Sequence, residues 1–334
     1  MNDQAVVIGI STYPGLRSLD GPCNDARKIR DWLERSDGGG LAPGSVRMLL
    51  TEDFPPPGGL HDAHPVVTEL DNLFRPLVLN ATQQKHIDGR LFIFVAGHGF
   101  ADSYDIDSAA LLAADAQPLF SPHLAVEKYA DFLRRSYAFR EIILLMDACR
   151  TTSPLQAISD PPLPRVPAHA RADRVKYFRA YGASFNHVAR ERVFNGGIVH
   201  GIFTMALIDA LETAQPNQVG RVNGSAIKRH IHNRIAAFAG SQDVGPADIS
   251  ADESRDVFFV HRASSLVNVE FKLKPEHDQR ELIVAFGDLT QSEHFPIAGI
   301  TLTVPLSPGL YKVSVEGTVE SKLIEVPHDG IVEF

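Results

Sequence analysis

Short unbroken apolar runs punctuate the first 180 residues. They are A-V-V-I-G-I at 5–10, V-R-M-L-L at 46–50, L-F-I-F-V-A at 91–96, I-I-L-L-M at 142–146 and Y-F-R-A-Y at 177–181. Five or six apolar residues bounded by Gly or charge predict central strands of a parallel sheet, buried on both faces. Helical periodicity fills the gaps. N-D-A-R-K-I-R-D-W-L-E-R at 24–35 puts Ala26, Ile29, Trp32 and Leu33 on one face, and Pro65 can open a helix at V-V-T-E-L-D-N-L-F. Further helices are predicted over 127–135, 201–212 and 225–238, with a last strand over 256–261. Strands alternating with helices predict an α/β fold, a mostly parallel sheet flanked by helices.

The texture changes twice after that. Residues 151–175 are rich in proline, with basic residues scattered without period, and read as an exposed loop. From about residue 263 the period becomes two, in V-N-V-E-F-K-L-K, R-E-L-I-V-A-F-G and L-Y-K-V-S-V-E-G, with turns such as S-P-G-L between. That pattern predicts a small all-β, sandwich-like domain over 263–334 behind an α/β domain over 1–262.

Composition narrows the function classes. The 334 residues are 44% hydrophobic and 22% charged, ordinary for a soluble globular chain, and the net charge of −9 argues against a general nucleic-acid binder. Two cysteines, Cys23 and Cys149, are too few for a disulfide framework and suit a reducing compartment. The opening M-N-D-Q-A-V-V-I-G-I lacks a basic n-region, and its apolar run is too short for a signal sequence or membrane span. The expectation is a cytoplasmic protein without a membrane partner.

Two of the strand-like runs stop at reactive side chains: L-F-I-F-V-A-G-H-G at His98-Gly99 and I-I-L-L-M-D-A-C-R at Cys149-Arg150. Open α/β sheets place their sites at the carboxyl ends of strands. A thiolate attacks an amide carbonyl, an imidazole can protonate the leaving amine, and backbone N–H groups at Gly99 and Cys149 can hold the oxyanion. An inert buried thiol beside a structural imidazole is the bland alternative. A dinucleotide or nucleotide-binding site is disfavoured, because S-T-Y-P-G follows the first strand and no Walker A string occurs. D-A-C-R-T also departs from the Gly-x-nucleophile-x-Gly turn of α/β-hydrolases.

The spacing of 51 positions from His98 to Cys149, with D-A-C at the thiol, resembles the caspase-like cysteine peptidases, nearest the metacaspase and bacterial branch. The segments Y-G-A-S-F-N-H-V-A-R-E and G-G-I-V-H-G-I-F-T-M-A-L resemble that family's substrate wall and following helix, so the likeness covers about residues 5–262. It implies His98 as acid–base, Cys149 as nucleophile and Gly99 as an oxyanion donor. It also implies an S1 pocket containing Asp25, Asp147 and Ser184, suited to Arg or Lys at P1. Departures are Arg150 after the cysteine, where many metacaspases have His-Ser-Gly, and Ala96 two residues before the histidine, where Ser is frequent. The Asp-specific members carry an arginine where Leu19 stands here. Arg17 and Arg150 lie near enough in sequence to keep an acidic P1 as an alternative, and a caspase-like scaffold without turnover is another.

The family is often cut during maturation where 151–176 falls, and Arg165, Arg171, Arg174 and Lys176 are candidate self-cleavage sites. Some members need calcium. The acids Asp102, Asp105 and Asp107 lack the Gly and terminal Glu of an EF-hand, so the expectation is a hydrated loop with no metal, calcium being the alternative. His61, His64, His230 and His232 show no ligand spacing with cysteines, so no structural zinc is expected. The resemblance further implies a protein or peptide substrate, a latent zymogen, an activating small-molecule or protein ligand, and a role in bacterial cell death or antiviral defence. The oligomeric state is left undetermined.

Overall fold

A computed structural model describes residues 2–333, apart from 43, 106, 153–156, 195, 217–220, 241, 243, 252–255, 262–266, 287–291, 307–308 and 327–329. It divides into two compact units, one of Met1–Gln215 with Val222–Val260, the other of Pro216–Arg221 with His261–Phe334. The expected boundary at 262/263 falls outside the described residues.

The first unit is built on a six-stranded sheet. Its strands are β1 (Gln4–Gly9), β2 (Val46–Leu50), β3 (Ile87–Ala96), β7 (Phe139–Asp147), β8 (Lys176–Tyr181) and β12 (Asp248–Ala251), in the order β12-β8-β7-β3-β1-β2. Every pairing is parallel except β8 with β12. The apolar runs are unbroken because successive residues serve opposite faces. Leu91, Ile93 and Val95 join one core cluster and Phe92, Phe94 and Ala96 the other, and β7 divides in the same way.

Helices cover both faces. α1 (Pro22–Glu34), α4 (Ile202–Thr213) and α5 (Gly224–Ala239) pack on one, α2 (Val67–Thr82) and α3 (Val126–Arg135) on the other. α1 buries Ala26, Ile29, Trp32 and Leu33, the stripe its period predicts. α2 runs beyond the expected nine residues and through Pro76. That residue is exposed between the buried Phe74 and Leu77, so solvent can take the carbonyl its missing N–H leaves free.

Short strands ornament the carboxyl edge: β4 (Gly99–Phe100), β5 (Ala110–Leu112) and β6 (His123–Leu124) form one sheet, and β9 (Glu191–Val193) pairs with β10 (Val199–Gly201). β11 (Arg221–Asn223) and β13 (Phe258–His261) make a further two-stranded sheet. Arg90, only 3% exposed, ties this unit together. Its guanidinium bonds Asp3 at 2.6 Å, the carbonyls of Gly39 and Phe259, and stacks on Phe92.

In the second unit, β14 (Val267–Lys272), β17 (Thr301–Leu306) and β20 (Gly330–Glu333) form a three-stranded sheet. β15 (Glu281–Phe286), β16 (Ser292–Pro296), β18 (Gly309–Val315) and β19 (Ser321–Val326) form a four-stranded one. Phe271 and Val304 from the first share a core with Leu282, Val284, Tyr311 and Val313 from the second, which is a sandwich. Among the described residues no helix is long and apolar enough to cross a membrane.

Candidate active site

β3 and β7 are neighbours in register, Ala96 opposite Asp147, so the residues two places beyond each emerge side by side. Those residues are His98 and Cys149, and both line one cleft of about 510 Å³. Gly97 N–H donates to the Asp147 carbonyl at 3.3 Å and couples the two strand ends.

The loop after β1 holds the imidazole. His98 Nε2 lies 2.7 Å from the Arg17 carbonyl, which can only accept, so Nε2 carries the proton and Nδ1 keeps the lone pair in the neutral ring. Tyr13 packs edge-on against the ring at 4.7 Å, its hydroxyl accepts His98 N–H at 3.0 Å, and Leu112 N–H donates to the His98 carbonyl at 2.8 Å. Tyr13 is 1% exposed. Nothing in S-T-Y-P-G beyond a turn signals this role, because the partner lies 85 positions away.

Cys149 is half-buried, and its thiol donates to the Ala189 carbonyl at 3.8 Å. Burial pushes the thiol above its ordinary range, and the nearby Asp147 charge adds to the effect while Arg190 opposes it. Gly99 pairs with Leu111 in a non-hydrogen-bonded position, as the bond from Leu112 N–H to the His98 carbonyl requires, so its own N–H turns away from β5. Packing requires glycine here: a Cβ would lie 2.8 Å from the carbonyl oxygens of Ala110 and Cys149 and 2.9 Å from Ala148 Cβ. Gly99 therefore lets the two strand ends close on each other.

Asp25 and Asp147 line the same cleft, 2% and 7% exposed. Asp25 does not cap its own helix. Its Oδ1 meets His200 Nδ1 at 2.8 Å and its Oδ2 accepts Gly201 N–H at 2.9 Å. Asp147 Oδ2 accepts from Thr204 N–H at 2.9 Å and its hydroxyl at 2.6 Å. Both carboxylates thus dock on the N-terminus of α4, where the helix dipole favours negative charge. Burial is the first cause pushing both carboxyls up. For Asp147 the charge of Asp25 adds to it and the value reaches about 7. Glu191, unforeseen in the sequence, also lines the cleft and accepts Gly21 N–H at 2.9 Å.

Other expected positions lie elsewhere. Ser184 does not line the cleft, because its hydroxyl donates to the Pro246 carbonyl at 2.7 Å. Arg150 is wholly buried, paired to Asp248 at 2.6 Å and stacked 4.2 Å over Tyr181, so it does not reach the cleft, whereas Arg17 and Leu19 do. Arg165, Arg171 and Arg174 are exposed beside α3, and Lys176 sits in β8 against Glu141 at 3.4 Å. A larger cavity of about 1130 Å³ lies there, between α3 and residues 158–177.

The acids of the 102–107 loop do not converge. Asp102 caps Tyr104 N–H, Asp105 caps Asp107 N–H and Asp107 pairs with Arg179 at 2.7 Å. Among the described residues only Glu276, His277 and Glu320 form a group of three with ligand atoms within 4.8 Å of one another, and Lys274 already stands 2.5 Å from Glu320.

A thiol and an imidazole delivered by adjacent parallel strands to one acidic-floored cleft have the layout of a cysteine hydrolase. The caspase-domain family model, peptidase C14, matches residues 2–243, and the chain belongs to that family of caspase-like cysteine peptidases. A probable protease of a Desulfuromonadales bacterium is 28% identical over 225 residues, 63% of this chain and 26% of that protein. The chain therefore spans about a quarter of that relative's length. A caspase-1 from Spodoptera frugiperda is similar in structure, with a TM-score of 0.48 and 13% identity over 75% of this chain and 86% of that one.

Proposed function

We propose that this chain is a cysteine endopeptidase cleaving after Arg or Lys, with Cys149 as nucleophile and His98 as acid–base. The observation that carries the reading is the shared cleft: thiol, imidazole and two buried carboxylates line it together. His98 Nδ1 takes the thiol proton, sulfur attacks the carbonyl carbon, and the oxyanion meets Gly99 and Cys149 N–H. The imidazolium then protonates the leaving amine, and water hydrolyses the thioester. Asp147 Oδ1, which accepts no hydrogen bond among the described residues, receives the P1 cation, with Asp25 adding its charge. Cations on an exposed rim and anions on a buried floor favour a basic P1 over an acidic one.

Latency belongs to the same reading. The Cys149 proton is directed to Ala189 rather than to the base, so a shift of the 187–191 wall, triggered by a ligand or partner, would free the thiol. Self-cleavage beside α3 is one route to that shift. A cytoplasmic role in bacterial cell death or antiviral defence belongs to the same reading and rests on the family likeness; the bacterial relative supports protease activity alone.

The test is a fluorogenic peptide panel varied at P1 through Arg, Lys, Asp and Ala, with Cys149→Ala as control. Cleavage after Arg or Lys that vanishes in the variant is the expected result. Cleavage after Asp would overturn the pocket assignment and keep the peptidase. Turnover persisting in Cys149→Ala would overturn the nucleophile.

A further inference from the structure

The cleft carries opposite charges at two depths. Its floor is acidic and buried, whereas Arg17 and Arg190 line the same cleft and are exposed. The backbones of both arginines are fixed beside the reacting pair. The Arg17 carbonyl takes His98 Nε2 at 2.7 Å. The Arg190 carbonyl takes Ile202 N–H at 2.9 Å, next to the Ala189 carbonyl that holds the thiol. One arginine therefore stands on the histidine side and the other on the cysteine wall.

Neither guanidinium has a carboxylate of the protein within ion-pair distance among the described residues. Glu191 is adjacent in sequence to Arg190, yet its carboxylate is engaged by the N–H groups of Asp20 and Gly21. Arg190 is close enough to Cys149 for its charge to favour the thiolate. An unpaired cation at a cleft mouth attracts and orients an anionic neighbour of the bound residue. It does little for the residue held on the floor.

We propose that Arg17 and Arg190 form a cationic rim that selects substrates carrying Asp or Glu in the positions adjoining the basic P1 residue. This rests on the reading of a basic P1 given above. The substrate class becomes an arginine or lysine set within an acidic stretch, recognised by charge of both signs at one cleft.

The experiment uses Arg-P1 peptides whose flanking residues are Asp, Asn or Lys, and reads the ratio of kcat/KM between flanks within each protein. Any general loss of activity or stability cancels in that ratio. The wild type is expected to prefer acidic over neutral flanks by about threefold to tenfold at low salt, two exposed charge pairs' worth. Raising salt to about 0.5 M should shrink that preference. R17Q combined with R190Q should bring the ratio near one, and R17E with R190E should favour lysine flanks. Arg-P1 cleavage indifferent to flanking charge would overturn the rim and leave the P1 reading standing. Cleavage only after Asp would overturn both, because the arginines would then meet P1 itself. The salt series on the wild type decides the matter even if a charge-reversed variant misfolds.

Discussion

Asp147 Oδ2 lies 2.0 Å from the point that a Cβ on Gly201 would occupy, and Asp25 Oδ2 lies 3.0 Å from the same point. The two carboxylates of the cleft floor therefore meet across a residue that has no side chain. Gly201 has φ −63° and ψ 136°, which alanine adopts freely, so Gly201→Ala acts by collision with a carboxylate and not by backbone strain. The variant should fold, yet lose about a hundredfold in kcat/KM for Arg-P1 peptides as the acids are displaced. Steady-state kinetics with a melting curve check this, and undiminished kcat/KM would remove Asp147 from the P1 pocket.

The pH dependence has two opposed signs. Asp147 is raised from 3.8 to about 7, so between those values the folded chain holds a proton that the unfolded chain releases. Its contribution to stability is complete below 3.8 and is lost as pH climbs through about 7, and Asp25 shifts in the same direction. The urea midpoint should be higher at pH 6 than at pH 8, and Asp147→Asn should narrow that gap. Recognition runs the other way, because a cation needs the ionised acid. The ratio of kcat/KM for Arg over citrulline at P1 should rise about fivefold to tenfold from pH 6 to 8. Comparing the two peptides keeps nucleophile ionisation out of the result, and a flat ratio would count against Asp147.

What was legible in the sequence follows from where each residue's partners lie. Strands β3 and β7 could be read because both faces are buried, which leaves no polar alternation, and their ends delivered His98 and Cys149. Strand β12 could not: D-I-S-A is four residues long, and it is a strand because β8 offers an unpaired edge. Ser184 and Asp25 show the same limit at the cleft. Each has the expected residue type, but distant neighbours, Pro246 for one and the start of α4 for the other, decide where the oxygen points.

Arg150 shows it most plainly, since an arginine after a nucleophile reads as a surface charge. It is wholly buried, bound to Asp248 and lying over the Tyr181 ring. Asp248 is a third exposed and can be solvated when its partner is lost, so Arg150→Ala should cost about 2 kcal/mol in urea denaturation, from the lost charge-assisted bond and ring stack. Arg150→Lys should fall between, keeping the charge and losing the planar stack. Wild-type stability in Arg150→Ala would mean that the ring and carboxylate contribute nothing to anchoring the Cys149 strand end.

The residues that connect β7 to β8 carry the last prediction. Lys128 reaches Asp160 at 2.5 Å, and His169 N–H donates to the Arg135 carbonyl at 2.8 Å, so the segment is tethered along α3. Residues 153–156 of the expected loop lie outside the described residues. Arg165 is exposed between the two tether points, and Arg171 and Arg174 between the second and β8. Lys176 is different: as a β8 residue in register with Glu141, it could be cut only by unzipping the central sheet. An enzyme with basic specificity should therefore nick itself at the arginines and spare Lys176. Intact-mass measurement of the wild type should show fragments ending at these arginines, absent from Cys149→Ala. Replacing all three by Gln should leave one chain. A fully active preparation with an unbroken chain would show that activity needs no cut, and activation would then rest on a ligand or partner.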